Sequence, residues 1–366
     1  MSARTGRRFV PPHCPNPACR FHLSSRGWRW RRYGFYPRLL RPHRIQRFRC
    51  DTCRRTFSTQ TFAVDYWLKH PRLLAPVFFR LLACSGFRQI ARDAGVRHTS
   101  VMRLSQRLGR HCLLYHHRHR PHGPLLEPLV IDGFESFEYS QDHPLYLNLA
   151  VGADSHFLYA FTDTELRRKG TRTDRQRERC ARVEAQFGRP RPGRLIDDIA
   201  QLLRLSVPTP QPLTLRSDEH PVYPVAVRRL RDWQVRHERT LSTLPRTPRN
   251  PLFPVNLADL LLRHNSANHK RETIAFSKRR QNALERLAVL LVWRNYMKPF
   301  SERHGGATPA MRLGLMSVPL TIRRLLRRRL FPTLTRLPER WRIYYRRDVA
   351  TRRIPSFHTH RLRFAF

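Results

Sequence analysis

Apolar positions follow helical spacing in the first third of this chain and strand spacing after it. Residues 71–85 place Leu73, Leu74, Val77, Phe78, Leu81 and Leu82 at helical intervals, predicting a helix closed by Gly86. Residues 87–94 predict a short second helix, Gly95-Val96 a turn, and 99–109 a third helix, the order of a helix-turn-helix. The basic run 110–121 then reads as a linker. From about residue 125 the rhythm shortens. Residues 129–131, 145–153 and 157–161 predict three strands, the last two joined through Asp154-Ser155-His156. Residues 167–194 read as a charged, turn-prone insertion, followed by a helix over 196–205, a strand ending at Asp218, a helix over 223–231 and a strand near 234–237. A polar turn around Asn268 passes into a long helix ending at Trp293-Arg294-Asn295-Tyr296, a cluster expected to pack rather than react.

This order predicts a multidomain α/β chain whose larger part is an RNase H-like mixed sheet. Such a sheet brings Asp132, at the end of the apolar run 128–131, beside Asp218, at the end of 212–217. Glu272 would stand at the start of the closing helix, with Glu285, thirteen residues on, as its rival. The two cannot both reach the same site, being roughly 20 Å apart along a continuous helix. Glu135, Asp142 and Asp154 lack a comparable context, and Asp197-Asp198 reads as a helix start. Three convergent carboxylates suit a divalent cation, Mg2+ or Mn2+. The plain alternative for each is a turn cap or a solvated helix charge.

Charge narrows the partner. With 71 Lys+Arg against 26 Asp+Glu and a formal charge of +45, the surface favours polyanions, above all nucleic acid. No run of about 18 apolar residues is present, and no apolar segment follows the first arginines, so neither a membrane partner nor secretion is expected. Cys14 and Cys19, then Cys50 and Cys53, form two short knuckles around an aromatic, Arg-rich segment. That spacing reads as a zinc ribbon, in which four thiolates replace the core that so small a module lacks. Four unrelated reduced cysteines are the alternative. Cys84, Cys112 and Cys180 stand alone, and His13 and His22 are not needed as ligands. In the third helix, Thr99, Ser100, Arg103 and Arg107 are the candidates for DNA contact.

The chain resembles bacterial insertion-sequence transposases of the DDE type, in the subgroup with an amino-terminal zinc ribbon and helix-turn-helix. The resemblance rests on Arg49-Cys50-Asp51-Thr52-Cys53-Arg54-Arg55-Thr56-Phe57-Ser58, on Leu215-Arg216-Ser217-Asp218-Glu219-His220-Pro221, on Asn268-His269-Lys270-Arg271-Glu272-Thr273, and on Thr308-Pro309-Ala310. It implies a zinc ribbon over 1–65, a helix-turn-helix and linker over 66–120, an RNase H-like catalytic domain over 121–300 and a basic region over 301–366. It implies two-metal phosphoryl transfer on DNA, with Asp132, Asp218 and Glu272 holding the magnesium ions. The partners implied are the element's terminal repeats and target DNA, with the protein acting as a homo-oligomer in the bacterial cytoplasm, associated with the nucleoid. A catalytically degenerate descendant acting as a DNA-binding regulator is the alternative.

Overall fold

The computed structural model describes residues 9–270, 274–275, 277–302 and 305–350. Three short antiparallel strands come first: β1 (Trp30–Pro37), β2 (Arg44–Cys50) and β3 (Thr56–Ser58), in that spatial order. Their inner face is too small for an aliphatic core. It closes instead on Phe48, Phe57 and Phe62 around Cys14, Cys19 and Cys50, with Phe331 from the far end of the chain.

The helices α1 (Leu74–Leu82), α2 (Phe87–Asp93) and α3 (His98–His119) follow the predicted order, with Gly95 at φ +61° in the turn between the second and third. A left-handed residue there costs glycine little. The third helix differs from expectation. The segment 110–121 is not a linker: α3 continues through it to His119 with Arg110, His111, Leu114, Tyr115 and His116 buried. Its polar side chains find internal partners, His111 Nε2 at 2.9 Å from the Leu325 carbonyl and His116 Nε2 at 2.9 Å from that of Tyr159. Basic composition disguised a buried helix face. Residues of α1–α3 share one continuous hydrophobic cluster with the sheet that follows.

That sheet contains β4 (Leu129–Phe137), β5 (Pro144–Gly152), β6 (Leu158–Glu165), β7 (Leu213–Asp218) and β8 (Val235–Thr240), in the order β6-β5-β4-β7-β8. The first three strands are antiparallel neighbours, while β7 runs parallel to β4 and β8 parallel to β7. Between β6 and β7 lie α4 (Asp174–Phe187) and α5 (Arg194–Ser206). The first of these corrects the expected irregular insertion. Thr173 and Gln176 form a capping box at its start, and Glu184 pairs with Arg167 and Arg189 at 2.6 Å each, so local signals support a helix that buries only Cys180.

After β7 come α6 (Val222–Val227), α7 (Phe253–Asn265) and α8 (Arg280–Val292). The closing helix therefore starts at Arg280, later than predicted, and Glu272 lies outside the described residues. Ion pairs fix this start: the Arg280 guanidinium meets Asp163 and Glu165 at 3.0 Å each, and its backbone N–H donates to Glu138 at 2.8 Å. Beyond α8, one π-helical turn (Trp293–Met297) points Asn295 and Tyr296 inward; the Asn295 amide bonds both backbone groups of Leu158 at 2.9 Å.

Four short helices follow among the described residues: α9 (Pro309–Arg312), α10 (Ile322–Arg327), α11 (Pro332–Thr335) and α12 (Glu339–Arg346). The last stacks Tyr344 on Phe161 and aims Arg340 at Asp163, 2.9 Å away. Among the described residues, no helix is long and apolar enough to cross a membrane.

Two measurements check this packing. Helices α3 and α8 touch at Gly109, where an added Cβ would lie 2.7 Å from the Cβ and the carbonyl oxygen of Glu285. Alanine regains about 1 kcal/mol of helix propensity, but separating two packed backbones costs about 1–3 kcal/mol. Gly109→Ala should therefore lower the urea midpoint, and an unchanged midpoint would show that the helices do not meet there. His111 is fully buried, and burial lowers its pKa from 6.5 to about 4. The unfolded chain takes up that proton first, so this contribution is complete above pH 6.5 and is lost as pH falls towards 4. The stability gap between wild type and His111→Gln should narrow by about 2 kcal/mol from pH 7 to pH 5.

Candidate functional site

Strand register builds the larger site. Leu129 pairs with Leu215 and Val130 with Arg216 across the parallel β4–β7 ladder. Two residues beyond the second pair, both strands reach an aspartate: Asp132 on β4 and Asp218 at the end of β7. Residues in step on parallel neighbours project from the same face, so the two carboxylates stand side by side. Both are half-buried, and neither makes an ion pair within 4.0 Å among the described residues.

Local hydrogen bonds orient them. Asp132 Oδ1 accepts from the Gly133 N–H at 2.7 Å and from the Tyr223 hydroxyl at 3.3 Å, while Asp218 Oδ1 accepts from the His220 N–H at 2.9 Å. Gly133 matters sterically, since a Cβ there would lie 2.4 Å from the ring of Tyr146. Burial, reinforced by the charge of Asp218, raises the Asp132 carboxyl from 3.8 to about 6. Burial and the negative charges of Asp132, Asp218 and Asp259 likewise push Tyr146 above its ordinary range. Two crowded carboxylates without a cation are a high-energy arrangement that a divalent ion relieves.

An open cleft of about 1110 Å³ lies against this face. Asp132 and Tyr146 form part of its floor, Asp259 comes from α7, and Arg246, Arg263 and Lys270 supply positive charge. Sequence reading missed α7 and with it Asp259. The signal was present: Pro254 stands in the first turn, and Val255, Ala258 and Leu262 follow at helical spacing on the buried side. Glu285 is elsewhere, fully buried on α8, and accepts from Arg347 at 2.8 Å and from Gln281 at 3.1 Å. It has no place beside Asp132 and Asp218.

The four ribbon cysteines converge. Their sulfurs all lie within 4.8 Å of one another, with Cys14 to Cys53 at 3.6 Å and Cys19 to Cys50 at 4.0 Å. A tetrahedral zinc with Zn–S bonds of 2.3 Å requires edges of about 3.8 Å, so the cluster could hold zinc with side-chain shifts of about 1 Å or less. The Trp28 indole N–H donates to Cys50 at 3.3 Å. Although burial opposes ionisation, the Cys53 backbone and this indole lower Cys50 to about 7. His13 stays out of the cluster, its ring packed edge-on against Phe62 and Phe331.

Thr99 and Arg103 are exposed on the first turns of α3 and Ser100 is half-buried. Arg107 points inward and donates to the carbonyls of Val64 at 2.9 Å and Tyr66 at 2.6 Å, tying α3 to the segment that leaves the ribbon.

No protein-family model matches the chain, and no curated protein matches it in sequence. Among solved structures it is similar to a chain in the cryo-EM structure of the simian T-cell lymphotropic virus intasome in complex with PP2A regulatory subunit B56 gamma. That likeness covers 67% of this chain and 74% of the other at 15% identity, with a TM-score of 0.26, a level at which it carries no weight for fold or function.

Proposed function

We propose that this chain is a DNA transposase of the DDE type, with an RNase H-like sheet presenting metal-binding carboxylates to a DNA phosphate. The observation that carries this reading is the β4–β7 register, which puts Asp132 and Asp218 in step on neighbouring strands, with Asp132 lining a cleft that also holds Arg246, Arg263 and Lys270. The antiparallel triplet continued by two parallel strands is the mixed sheet expected of such a domain.

Asp132 and Asp218 would hold the magnesium ions. When bound, such ions lower the pKa of an attacking water or 3′-hydroxyl and stabilise the departing oxygen. The chain's own part is positional. Tyr223 and the Gly133 N–H fix one carboxylate, the His220 N–H fixes the other, and Arg246 and Lys270 at the cleft would bind flanking phosphates. The cysteine cluster would hold a structural zinc that keeps the ribbon folded, and Thr99, Ser100 and Arg103 would meet DNA at the head of α3. Arg107 is spent internally and serves to orient that helix. A second copy of the chain on paired element ends completes the proposed assembly.

Purified protein incubated with Mg2+ and a duplex from the DNA flanking the gene should cleave one strand at the element boundary. Asp132→Ala and Asp218→Ala should each lower cleavage at least 100-fold while duplex binding stays within about threefold, because the ions leave but the basic surface remains. Full cleavage by either variant rejects the two-carboxylate assignment; wild-type binding without cleavage points to a regulator.

Metal analysis should find about one zinc per chain, lost together with the fold of residues 9–65 in the Cys50→Ser/Cys53→Ser double variant. A zinc-free chain whose ribbon remains protected from protease would reject this part. Glu285→Gln should lower thermal stability through its Arg347 partner and leave the metal dependence of cleavage unchanged.

A further inference from the structure

Several arginines of the fold face an acid: Arg280 and Arg340 meet Asp163, Arg168 and Arg179 meet Asp142, and Arg347 meets Glu285. One group of arginines does the opposite. Where the segment leaving the three-stranded module passes the start of α1, the end of α3 and α10, an open groove of about 910 Å³ collects Arg72, Arg118, Arg323, Arg327, Arg328 and Arg329. Arg329 is half-buried and the other five are exposed. Among the described residues no acid comes within 4.0 Å of any of the six, and the carboxylate that does line the groove, Asp65, is held by Arg38 at 3.4 Å. His119, stacked on Tyr115 at 4.1 Å, feels the resulting field. Burial first, and then the charges of Arg328 and Arg118, keep its pKa below 6.5 against the bond it makes to the Tyr115 carbonyl.

Apolar packing forces these charges together. Arg72 stands in the turn before α1, Arg118 in the last turn of α3, and the other four along α10 and just beyond it. Leu74, Leu325 and Leu330 are buried beneath them. The Arg329 guanidinium lies 3.9 Å from the centroid of the Phe9 ring, and Phe331 enters the aromatic core beside the cysteines, so α10 cannot swing away to separate the cations. Arg323 and Arg327 stand one turn apart on one face of α10, with Cβ atoms about 6 Å apart, a like-charge pair that weakens a helix in water. Cations fixed side by side and left without counter-ions make a site for an anion of matching extent.

We propose that this groove binds the phosphate backbone of a nucleic-acid strand, at a site separate from the head of α3 and from the carboxylates. Arg118 lies fifteen residues after Arg103, about 22 Å along α3. A single phosphate engages one or two guanidinium forks, whereas a polymer engages them in series, because neighbouring phosphates of one strand repeat at a distance of the same order as one helical turn. Among the described residues no Phe, Tyr or Trp lines the groove, so the contact is to backbone rather than to stacked bases. The site requires no carboxylate and no strand cleavage, and so goes beyond the transposase reading.

The test measures binding of the full chain to a DNA duplex of arbitrary sequence over a range of salt, without Mg2+ or Mn2+. The Arg323→Gln/Arg327→Gln/Arg328→Gln variant should bind at least about tenfold more weakly, with the slope of log K against log salt shallower by about 2.7, since each phosphate contact contributes about 0.9. The corresponding triple lysine variant keeps the charges and should keep the wild-type slope, and in neither should Tm without DNA fall. Arg175→Gln/Arg182→Gln/Arg231→Gln removes as much exposed charge outside the groove and should stay within about twofold of wild type. Equal losses in the two glutamine variants would mean diffuse attraction and overturn the groove; a lowered Tm in the lysine variant would make the arginines structural and overturn it too. Poly-glutamate that displaces the duplex as well as a second duplex does, charge for charge, overturns nucleic acid as the occupant, and inorganic phosphate that does so reduces the groove to a free-anion site. None of these outcomes bears on Asp132, which the cleavage assay of Asp132→Ala decides.

Discussion

The repulsion between Asp132 and Asp218 is the constraint around which this molecule is organised. Folding brings two carboxylates into step on adjacent strands, where burial and the neighbouring charge disfavour ionisation of Asp132. Among the described residues no ion pair neutralises the two, and the charge of Arg246 only partly offsets their repulsion. The hydrogen bonds from Gly133, Tyr223 and His220 orient the oxygens without supplying a full positive charge. A sheet that keeps such an arrangement must be held rigidly from elsewhere, and the core around β4 does this, with Leu129, Val130, Ile131 and Leu215 almost wholly buried.

Arginine does much of that holding. Arg280 at the start of α8 and Arg340 on α12 converge on Asp163 of β6, so two helices distant in sequence are fixed to one strand by a single buried acid. Asp163 and Phe161 face α8 and α12, while the alternate residues Thr162 and Thr164 bond Asp198 on α5. Both sides of the strand are therefore committed. Removing one partner of such a buried pair leaves an uncompensated charge, which costs about 3–5 kcal/mol. Much of the chain's arginine thus acts inside the fold, so the formal charge of +45 overstates the positive surface available to a polyanion.

Legibility in the sequence followed chemistry with a short local signature. The strands that carry Asp132 and Asp218 were visible from their β-branched and leucine-rich runs, and the cysteine knuckles because their spacing is local. Strand β4 does not stop at Asp132, however, but runs on through a more polar stretch to Phe137, while β7 does end at Asp218. Three features were hidden for physical reasons. The second half of α3 is rich in His and Arg, a composition that resembles a solvated linker until the internal carbonyls that receive those side chains are known. Helix α4 is held by a cap and ion pairs rather than by an apolar stripe. Helix α7 hid behind Pro251 and Pro254 and a string of turn residues. Arg107 shows the reverse error: a basic residue in the right register for a base edge is claimed by two backbone carbonyls.

Helix α3 connects the parts that these forces organise. Its 22 residues span about 33 Å at the α-helical rise. The first turns expose Thr99 and Arg103, whereas the later turns lie buried against α8, touching it at Gly109. The three-stranded module is joined to the same frame twice: Arg107 grips the carbonyls of Val64 and Tyr66, and Phe331 enters the aromatic core beside the cysteines. A load applied at the exposed head of α3 or at the ribbon therefore passes through packed side chains to α8 and, through Arg280, to the sheet that carries the acids. Under the proposed function, this continuity would let the position of a DNA on the outer surface fix where its backbone crosses the carboxylates. Close packing of α3 against α8 would then serve the same geometry as the β4–β7 register, because a slip in either would misplace a phosphate relative to Asp132 and Asp218.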